Sequence, residues 1–168
     1  FFTWQTGTPF SVLSGRGTLN RGARSGGNTA TSTLDKAGLD DALAFRMSGT
    51  GPYMVNSNAL GVDGRAVQAD GASPFAGQIF FQPGAGEIGA LQRRMFNGPS
   101  GWSIDRAVNK RTRITERVSL EIRGEFYNTF NHPTFDIGDQ TVTSVTFGKI
   151  TGNLFGRRLI QLGAYLKF

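Results

Sequence analysis

Few residues in this chain could perform covalent or metal chemistry. The 168 residues include no cysteine and a single histidine, His132, so neither a thiolate site nor a multi-histidine metal site can be built from them. His132 precedes Pro133, and this pairing is typical of a turn. The carboxylates lack the spacing of a calcium-binding loop, and we interpret the following as solvated loop residues: Asp35, Asp40, Asp41, Asp136 and Asp139.

Two further segments have only a loose likeness to catalytic motifs. The glycines of residues 84–89 are spaced roughly like a dinucleotide-binding loop, but no predicted strand precedes them and no predicted helix follows. Residues 11–15 contain serine without forming a nucleophile elbow. We therefore predict that the chain is not an enzyme and that it binds no cofactor and no metal.

The charge balance is basic, with 18 Lys and Arg against 12 acidic residues and a formal net charge of +6. Nucleic-acid binding is the usual alternative for such a chain. The positive residues are scattered, however, and the densest group lacks the neighbouring aromatic platform that single-strand binding uses. That group is Lys110, Arg111, Arg113 and Arg117. The sequence accordingly predicts no nucleic-acid partner.

The composition favours strands joined by turns. The chain has 24 glycines and 14 phenylalanines, which favour turns and apolar strand faces respectively. No run of 18 apolar residues predicts a membrane-spanning helix, but a spanning β-strand needs only about 9–11 residues. The chain begins at Phe1 without a methionine or a visible leader, so we expect a processed piece or a fragment.

Two segments, 117–127 and 158–168, alternate strictly between apolar and other residues. Side chains of a strand alternate between its faces. We predict a face toward lipid, or an equivalent apolar surface, made of Val118, Leu120, Ile122, Phe126, Ile160, Leu162 and Leu166. The opposite face is predicted to carry Glu121, Arg123, Glu125, Gln161 and Lys167. A soluble sandwich with its apolar face inward would show the same pattern.

A third strand is predicted over residues 102–113, with Trp102, Ile104 and Val108 on its apolar face. Arg106 falls on the same face, so it must lie near an interface, extend toward one or meet a partner. The connection 114–116 is short. The connections 6–101 and 128–157 are long, with one helical patch at 34–45 and one strand-like run at 142–150.

The three strands are predicted to pair antiparallel in chain order. Short turns on one side and long loops on the other are typical of an outer-membrane barrel. If the last strand runs toward the periplasm, the short turn lies in the periplasm and both long connections lie on the cell surface. Residues 1–5 then end one more upward strand. The last strand resembles the closing strand of bacterial outer-membrane barrels, a resemblance that makes Phe168 an assembly signal.

Several blocks closely resemble the carboxy-terminal end of Oar-like TonB-dependent transporters, a family abundant in Acidobacteria. Beside Ile104, Asp105 and Lys110, the blocks are QTGTPF at 5–10, RRMFNGP at 93–99, RITER at 113–117, EFYNTFNHPTF at 125–135, FGKIT at 147–151 and RRLIQL at 157–162. Arg106 departs from the family, which usually has an apolar residue there. The resemblance spans nearly the whole chain.

The resemblance implies an all-β fold: antiparallel up-and-down strands forming the C-terminal part of a transmembrane β-barrel with long, irregular extracellular loops. Such barrels have about 22 strands around a plug. Residues 1–5 would end one strand, 6–101 would form an extracellular loop region, and 102–168 would hold the last three strands. The parent protein would import iron chelates, peptides or oligosaccharides across the outer membrane of a Gram-negative cell, with its loops on the cell surface.

The implied partners are outer-membrane lipid and the rest of the parent barrel with its plug. TonB would be engaged only through an amino-terminal region that this sequence does not include. A different class of function stays open on the residues alone. Three or four strands leave open sheet edges, which template pairing with other chains. The chain could then be a β-rich surface or fibre-forming subunit that assembles with copies of itself.

Overall fold

The computed structural model describes residues 1–17 and 27–168. In chain order its elements are β1 (Phe2–Gln5), β2 (Pro9–Phe10), β3 (Thr31–Ser32), α1 (Lys36–Ala42), β4 (Arg46–Ser48), β5 (Gly51–Tyr53), a 3₁₀ turn (Ser57–Ala59), β6 (Phe80–Phe81), β7 (Phe96–Asn97), β8 (Gly101–Ile104), β9 (Arg106–Arg113), β10 (Ser119–Tyr127) and β11 (Leu159–Lys167). The predicted all-β class is confirmed. In the described ranges, neither helical segment has the length and apolar character needed to cross a membrane.

The chain divides into two compact units. The sheet unit comprises Phe1–Gln5, Ser100–Phe135 and Asn153–Phe168. The loop unit comprises Thr6–Pro99 and Asp136–Gly152. Each unit combines segments that are far apart in the sequence, so neither is a continuous stretch of chain.

The sheet unit is built around β10, which pairs antiparallel with β11 on one side and β9 on the other. Leu120 lies opposite Leu166 in β11 and opposite Thr112 in β9. The predicted antiparallel order of the three long strands is therefore confirmed. A separate pair joins β1 to β8, with Trp4 opposite Trp102. Residues 1–5 therefore run opposite to the segment after residue 100, and that they end a barrel strand stays a prediction.

The predicted strand 102–113 is interrupted at Asp105, where the chain changes partners. Before this residue β8 pairs with β1, and after it β9 pairs with β10. The Asp105 backbone closes the first pair, since its amide donates to the Phe1 carbonyl at 2.8 Å and its carbonyl accepts from the Phe1 ammonium at 2.7 Å. The interruption therefore marks the point at which one ladder ends and the next begins.

The predicted short turn at 114–116 extends over residues 114–118. The Val118 carbonyl accepts hydrogen bonds from the amides of Ile114 at 2.9 Å and Thr115 at 3.1 Å. Val118 consequently lies in the turn, outside β10, and the predicted membrane face begins at Leu120. Alternation alone could not show this, because a turn residue next to a strand can continue the strand's apolar pattern by chance.

The loop unit has its own hydrophobic core. Its largest fully buried apolar side chains are Phe80, Leu39, Val12, Val67 and Val142. Phe80 meets Phe147 edge to face, with ring centroids 5.8 Å apart. The sequence predicted two separate irregular loops, whereas the structure packs them together as one unit. Apolar residues scattered too thinly to show any periodicity can still form a core when distant segments contribute to it.

Two local predictions inside the loop unit have different outcomes. The helical patch predicted at 34–45 contains α1, whose first turn is capped by Asp35 accepting from the Gly38 amide at 2.8 Å. The strand-like run at 142–150 is not a strand but a series of turns, with an isolated bridge between Asp139 and Phe147. Gly148 adopts a positive φ of 73°, a conformation that interrupts an extended chain.

Asp139 stabilises these turns from their centre. Its carboxylate accepts from the Thr141 amide at 3.0 Å and the Thr146 hydroxyl at 2.8 Å. Partial burial opposes ionisation of Asp139, but hydrogen bonds from Ser144, Thr141 and Thr146 outweigh it and hold the pKa of this carboxyl below its usual range. The carboxylate therefore has a structural role within the described residues.

Replacing Phe80 with alanine is expected to destabilise the loop unit by about 3–5 kcal/mol, because a fully buried ring is lost and a cavity remains. Limited proteolysis of the detergent-purified protein measures this as faster cleavage of residues 6–99. Ile88→Ala is the control, since that side chain is 78% exposed. Equal cleavage of the two variants would contradict the assigned core.

Candidate functional site

The three-stranded sheet has two chemically different faces. Residues directly opposite each other in an antiparallel pair share a face. One face carries the cross-strand pairs Leu120 and Leu166, Ile122 and Ala164, Gly124 and Leu162, and Phe126 and Ile160. The six residues predicted to lie together within these strands, Leu120, Ile122, Phe126, Ile160, Leu162 and Leu166, therefore share one face.

This apolar face is open within the described chain. Leu162 is 78% exposed, and Ile122, Ile160 and Leu166 are each half exposed. A soluble sandwich would bury such a face against a second layer. A contiguous exposed apolar surface instead fits contact with lipid or with a partner. That these side chains face lipid stays a prediction.

Strand β9 adds charged residues to the apolar face. Its register places Arg106, Val108, Lys110 and Thr112 opposite Phe126, Gly124, Ile122 and Leu120. Sequence reasoning identified Arg106 but missed Lys110, although the same alternation places both on one side. Lys110 is the fifth of the eight residues of β9, and its long side chain can extend its ammonium along the strand toward an interface.

Of the three alternatives predicted for Arg106, the structure shows a partner. Its guanidinium lies over the ring of Phe130, 5.3 Å from the ring centroid. Such a contact stabilises a cation next to an apolar surface. Arg106 pairs with Phe126 near the end of β10, which places the charge at the edge of the apolar face and away from its middle.

The opposite face is a lattice of paired polar groups. The Lys167 ammonium lies 2.5 Å from a Glu121 carboxylate oxygen, and the Asn109 amide donates to the other Glu121 oxygen at 3.0 Å. Arg123 forms an ion pair with Glu125, which also accepts from the Tyr127 hydroxyl at 3.2 Å. The face is strongly charged, with more basic than acidic residues, and its polarity suits a water-filled or plugged lumen.

The basic group noted in the sequence divides between locations. Arg111 and Arg113 lie on the polar face, Lys110 lies on the apolar face, and Arg117 lies in the turn. The Arg111 guanidinium donates to the Ser119 hydroxyl at 3.3 Å. Arg111, Arg113 and Arg117 nevertheless line one cleft at the turn end of the sheet, together with Lys167, and only Lys110 is separated from the group.

Asn128 fastens the end of β10. Its side-chain oxygen accepts from the His132 amide at 2.9 Å, and its amide nitrogen donates to the carbonyls of His132 at 3.1 Å and Gly156 at 3.2 Å. Its backbone amide donates to the Asp105 carboxylate at 2.8 Å. Asn128 thereby links the ends of β8, β10 and the segment before β11.

The backbone at this turn is unusual. Asn128 and Asn131 have positive φ values of 46° and 51°. Asparagine tolerates this left-handed conformation better than other residues with side chains, apart from aspartate. Asn131 also accepts from the Arg158 amide at 3.1 Å. These contacts give a physical reason for two asparagines in the sequence block that carried the family resemblance.

Aromatic residues gather at the same end of the sheet unit. The Trp102 ring stacks on His132 at 4.1 Å and lies 6.2 Å from Phe130. Trp4, opposite Trp102, is 60% exposed. Aromatic girdles of this kind mark membrane interfaces in β-barrels. Sequence reasoning missed the cluster because its members come from three separate segments.

The remaining predicted residues are placed as follows. His132 lies in the turn, as predicted, with its Nδ1 buried and unpaired. Phe168 follows β11 and is 92% exposed, and its role as an assembly signal stays a prediction. No group of three or more His, Asp or Glu residues that could hold a metal occurs in residues 1–17 or 27–168. The segment 84–89 is followed by loop and then β7, with no helix between them.

Comparison with known proteins gives one match. A family model described as an outer membrane beta barrel domain matches residues 1–161. The matched range includes β1 through β10 and the first three residues of β11. No curated protein and no solved structure matches the chain.

Introducing an arginine at Leu162 should reduce barrel formation far more than introducing one at the neighbouring Gln161. The two positions lie on opposite faces of β11. An arginine facing lipid near the midplane costs about 2–4 kcal/mol, whereas a polar lumen tolerates it. The measurement is the amount of heat-modifiable barrel in outer-membrane fractions. Equal amounts of barrel for the two variants would contradict the assignment of Leu162 to a lipid-facing side and Gln161 to the opposite side.

Replacing Asn128 with alanine is expected to lower the free energy of unfolding by about 2–3 kcal/mol. The reason is that the backbone amide and carbonyl of His132 and the carbonyl of Gly156 lose their hydrogen-bond partner. The temperature at which the heat-modifiable band disappears reports the change. Asn128→Gly separates the causes, since glycine accepts the positive φ but cannot form the hydrogen bonds. Asn153→Ala, at an exposed position, is the control. A glycine variant as stable as the original protein would assign the effect to backbone strain alone.

Proposed function

The chain belongs to the family of outer membrane beta barrel domains, and from this premise we propose that it forms closing strands and loops of a TonB-dependent nutrient importer. Its location is the outer membrane, where it is part of a β-barrel. The proposed cargo is a bulky nutrient such as an iron chelate, a peptide or an oligosaccharide. No catalytic step is proposed for this chain.

The observation that carries the proposal is the two-faced sheet. One face is apolar and exposed, and the other is an ion-paired polar lattice. Charged lumen walls are compatible with a large barrel filled by water or by a plug. The transporter type is supported by the resemblance of residues 125–135, whose Asn128 and His132 form the turn that fastens the strand ends.

The proposed orientation follows from connection lengths. Residues 114–118 would lie in the periplasm, and the long connections 6–99 and 136–152 would emerge at the cell surface. The apolar face would contact membrane lipid, and the polar face would contact the lumen and its plug. TonB would act through an amino-terminal region of the parent protein.

Transport assays on deletion strains test the importer. We expect at least one compound from a panel of iron chelates, peptides and oligosaccharides to require both this protein and TonB for uptake. The physical reason is that a plugged barrel opens only when energy is supplied. A gene deletion that affects no TonB-dependent uptake would contradict the proposal.

A second measurement separates the importer from a surface assembly. An assembly through open strand edges would grow in size in plain buffer, whereas a closed barrel keeps one size in detergent. Light scattering in the two media reports this difference. Size increase without any uptake defect would favour the structural subunit.

A further inference from the structure

A cleft in the loop unit has the chemistry of a small binding site. Its volume is about 340 Å³, at the lower end of the range of about 300–1,000 Å³ that is typical of ligand sites. The lining comes from α1, the residues after it, and the segment around β7. All of these residues belong to the loop unit, so the cleft is complete within that unit.

The apolar side chains of the cleft are firmly packed, and most of the accessible lining is polar. Phe96 is 3% exposed and packs against Phe10 with ring centroids 5.6 Å apart. Met54 is 3% exposed, and its sulfur accepts from the Gly138 amide at 3.1 Å. Met95 and the partly exposed Phe45 complete this surface. Thioethers and rings of this kind accommodate an apolar side chain without a demanding shape.

A pair of opposite charges lines the same cleft. Lys36 and Asp40 are one helical turn apart on α1 and form an ion pair, with side chains 50% and 54% exposed. The Lys36 ammonium also lies 5.4 Å from the centroid of the Phe96 ring. The cation is thus held against the apolar wall by two contacts. Both charged groups remain accessible to a ligand.

We propose that this cleft binds a short zwitterionic peptide, with both of its termini in the cleft, that carries an apolar side chain. The peptide carboxylate contacts Lys36, its ammonium contacts Asp40, and its apolar side chain lies against Phe96, Met95 and Phe45. The Asn97 side chain, which is exposed at the cleft, supplies a neutral hydrogen-bonding group for the peptide amide.

The charges favour a zwitterion over the other ligand classes. Lys36 and Asp40 cancel each other, so the cleft offers no net attraction for an anionic metal chelate. A neutral sugar offers no ionic group to Lys36 or Asp40, whereas a zwitterion offers one to each. The inference rests on the proposed importer function and selects peptides from its three cargo classes.

Binding of three related dipeptides to the detergent-purified full protein tests the inference. The probes are Ala-Phe, its N-acetyl form and its carboxamide, measured by isothermal titration calorimetry. Removing either charge from the ligand should weaken binding about five- to tenfold, because one partly exposed charge-assisted contact is lost. Lys36→Met should abolish the difference in affinity between Ala-Phe and its carboxamide. Asp40→Asn should abolish the difference in affinity between Ala-Phe and its N-acetyl form.

Matched controls come from another exposed ion pair of the loop unit, Arg16 with Asp70, which does not line the cleft. Arg16→Met and Asp70→Asn should bind all three dipeptides as the original protein does. Each variant is first checked for an unchanged heat-modifiable barrel and unchanged protease resistance. Absence of saturable Ala-Phe binding, or equal binding by the Lys36 and Asp40 variants and the original protein, would overturn the inference.

The two proposals fail separately. TonB-dependent uptake of some other nutrient, together with no dipeptide binding, would contradict the peptide-binding cleft and support the importer function. Dipeptide binding with the expected dependence on Lys36 and Asp40, but no TonB-dependent uptake, would support the peptide-binding cleft and contradict the importer function.

Discussion

The double pairing of β10 is the constraint on which the sheet unit depends. Its residues pair with β11 over the whole strand and with β9 over all but the last residue. Because side chains alternate, a slip of one residue in either ladder would move every apolar side chain to the charged face. The same registers that align the apolar residues also bring Lys167 and Asn109 to Glu121. Backbone hydrogen bonding and side-chain chemistry therefore support a single alignment.

The end of the sheet must be fastened where the long connections leave it. The Asn128 side chain does this by hydrogen bonding to backbone groups of His132 and Gly156. The Asn128 backbone amide donates to the Asp105 carboxylate. Around this turn lie Trp102, Phe130 and Arg106, which combine aromatic surface with one positive charge. In a membrane barrel such a group suits the boundary between hydrocarbon and water. The turn thus links local backbone geometry to position in the bilayer.

The loop unit shows how long connections can form a compact core without being a separate continuous domain. Residues 136–152 contribute Val142, Phe147 and Ile150 to a core whose other members lie before residue 100. This core supports α1 and Phe96, and they in turn position Lys36 and Asp40 at one cleft. A rigid support of this kind reduces the ordering cost of binding, since the contacting groups are held before a ligand arrives.

The sequence by itself determined the period-two pattern, the order of the long strands and the family resemblance, because alternation and turn chemistry are local properties. It also indicated that Arg106 must lie near an interface, extend toward one or meet a partner, but only the tertiary structure showed the ring of Phe130 there. The break at Asp105, the turn position of Val118 and the presence of Lys110 on the apolar face depend on which strands pair and in which register. The core of the loop unit was likewise decided by contacts between distant segments, which leave no periodic signal in the chain.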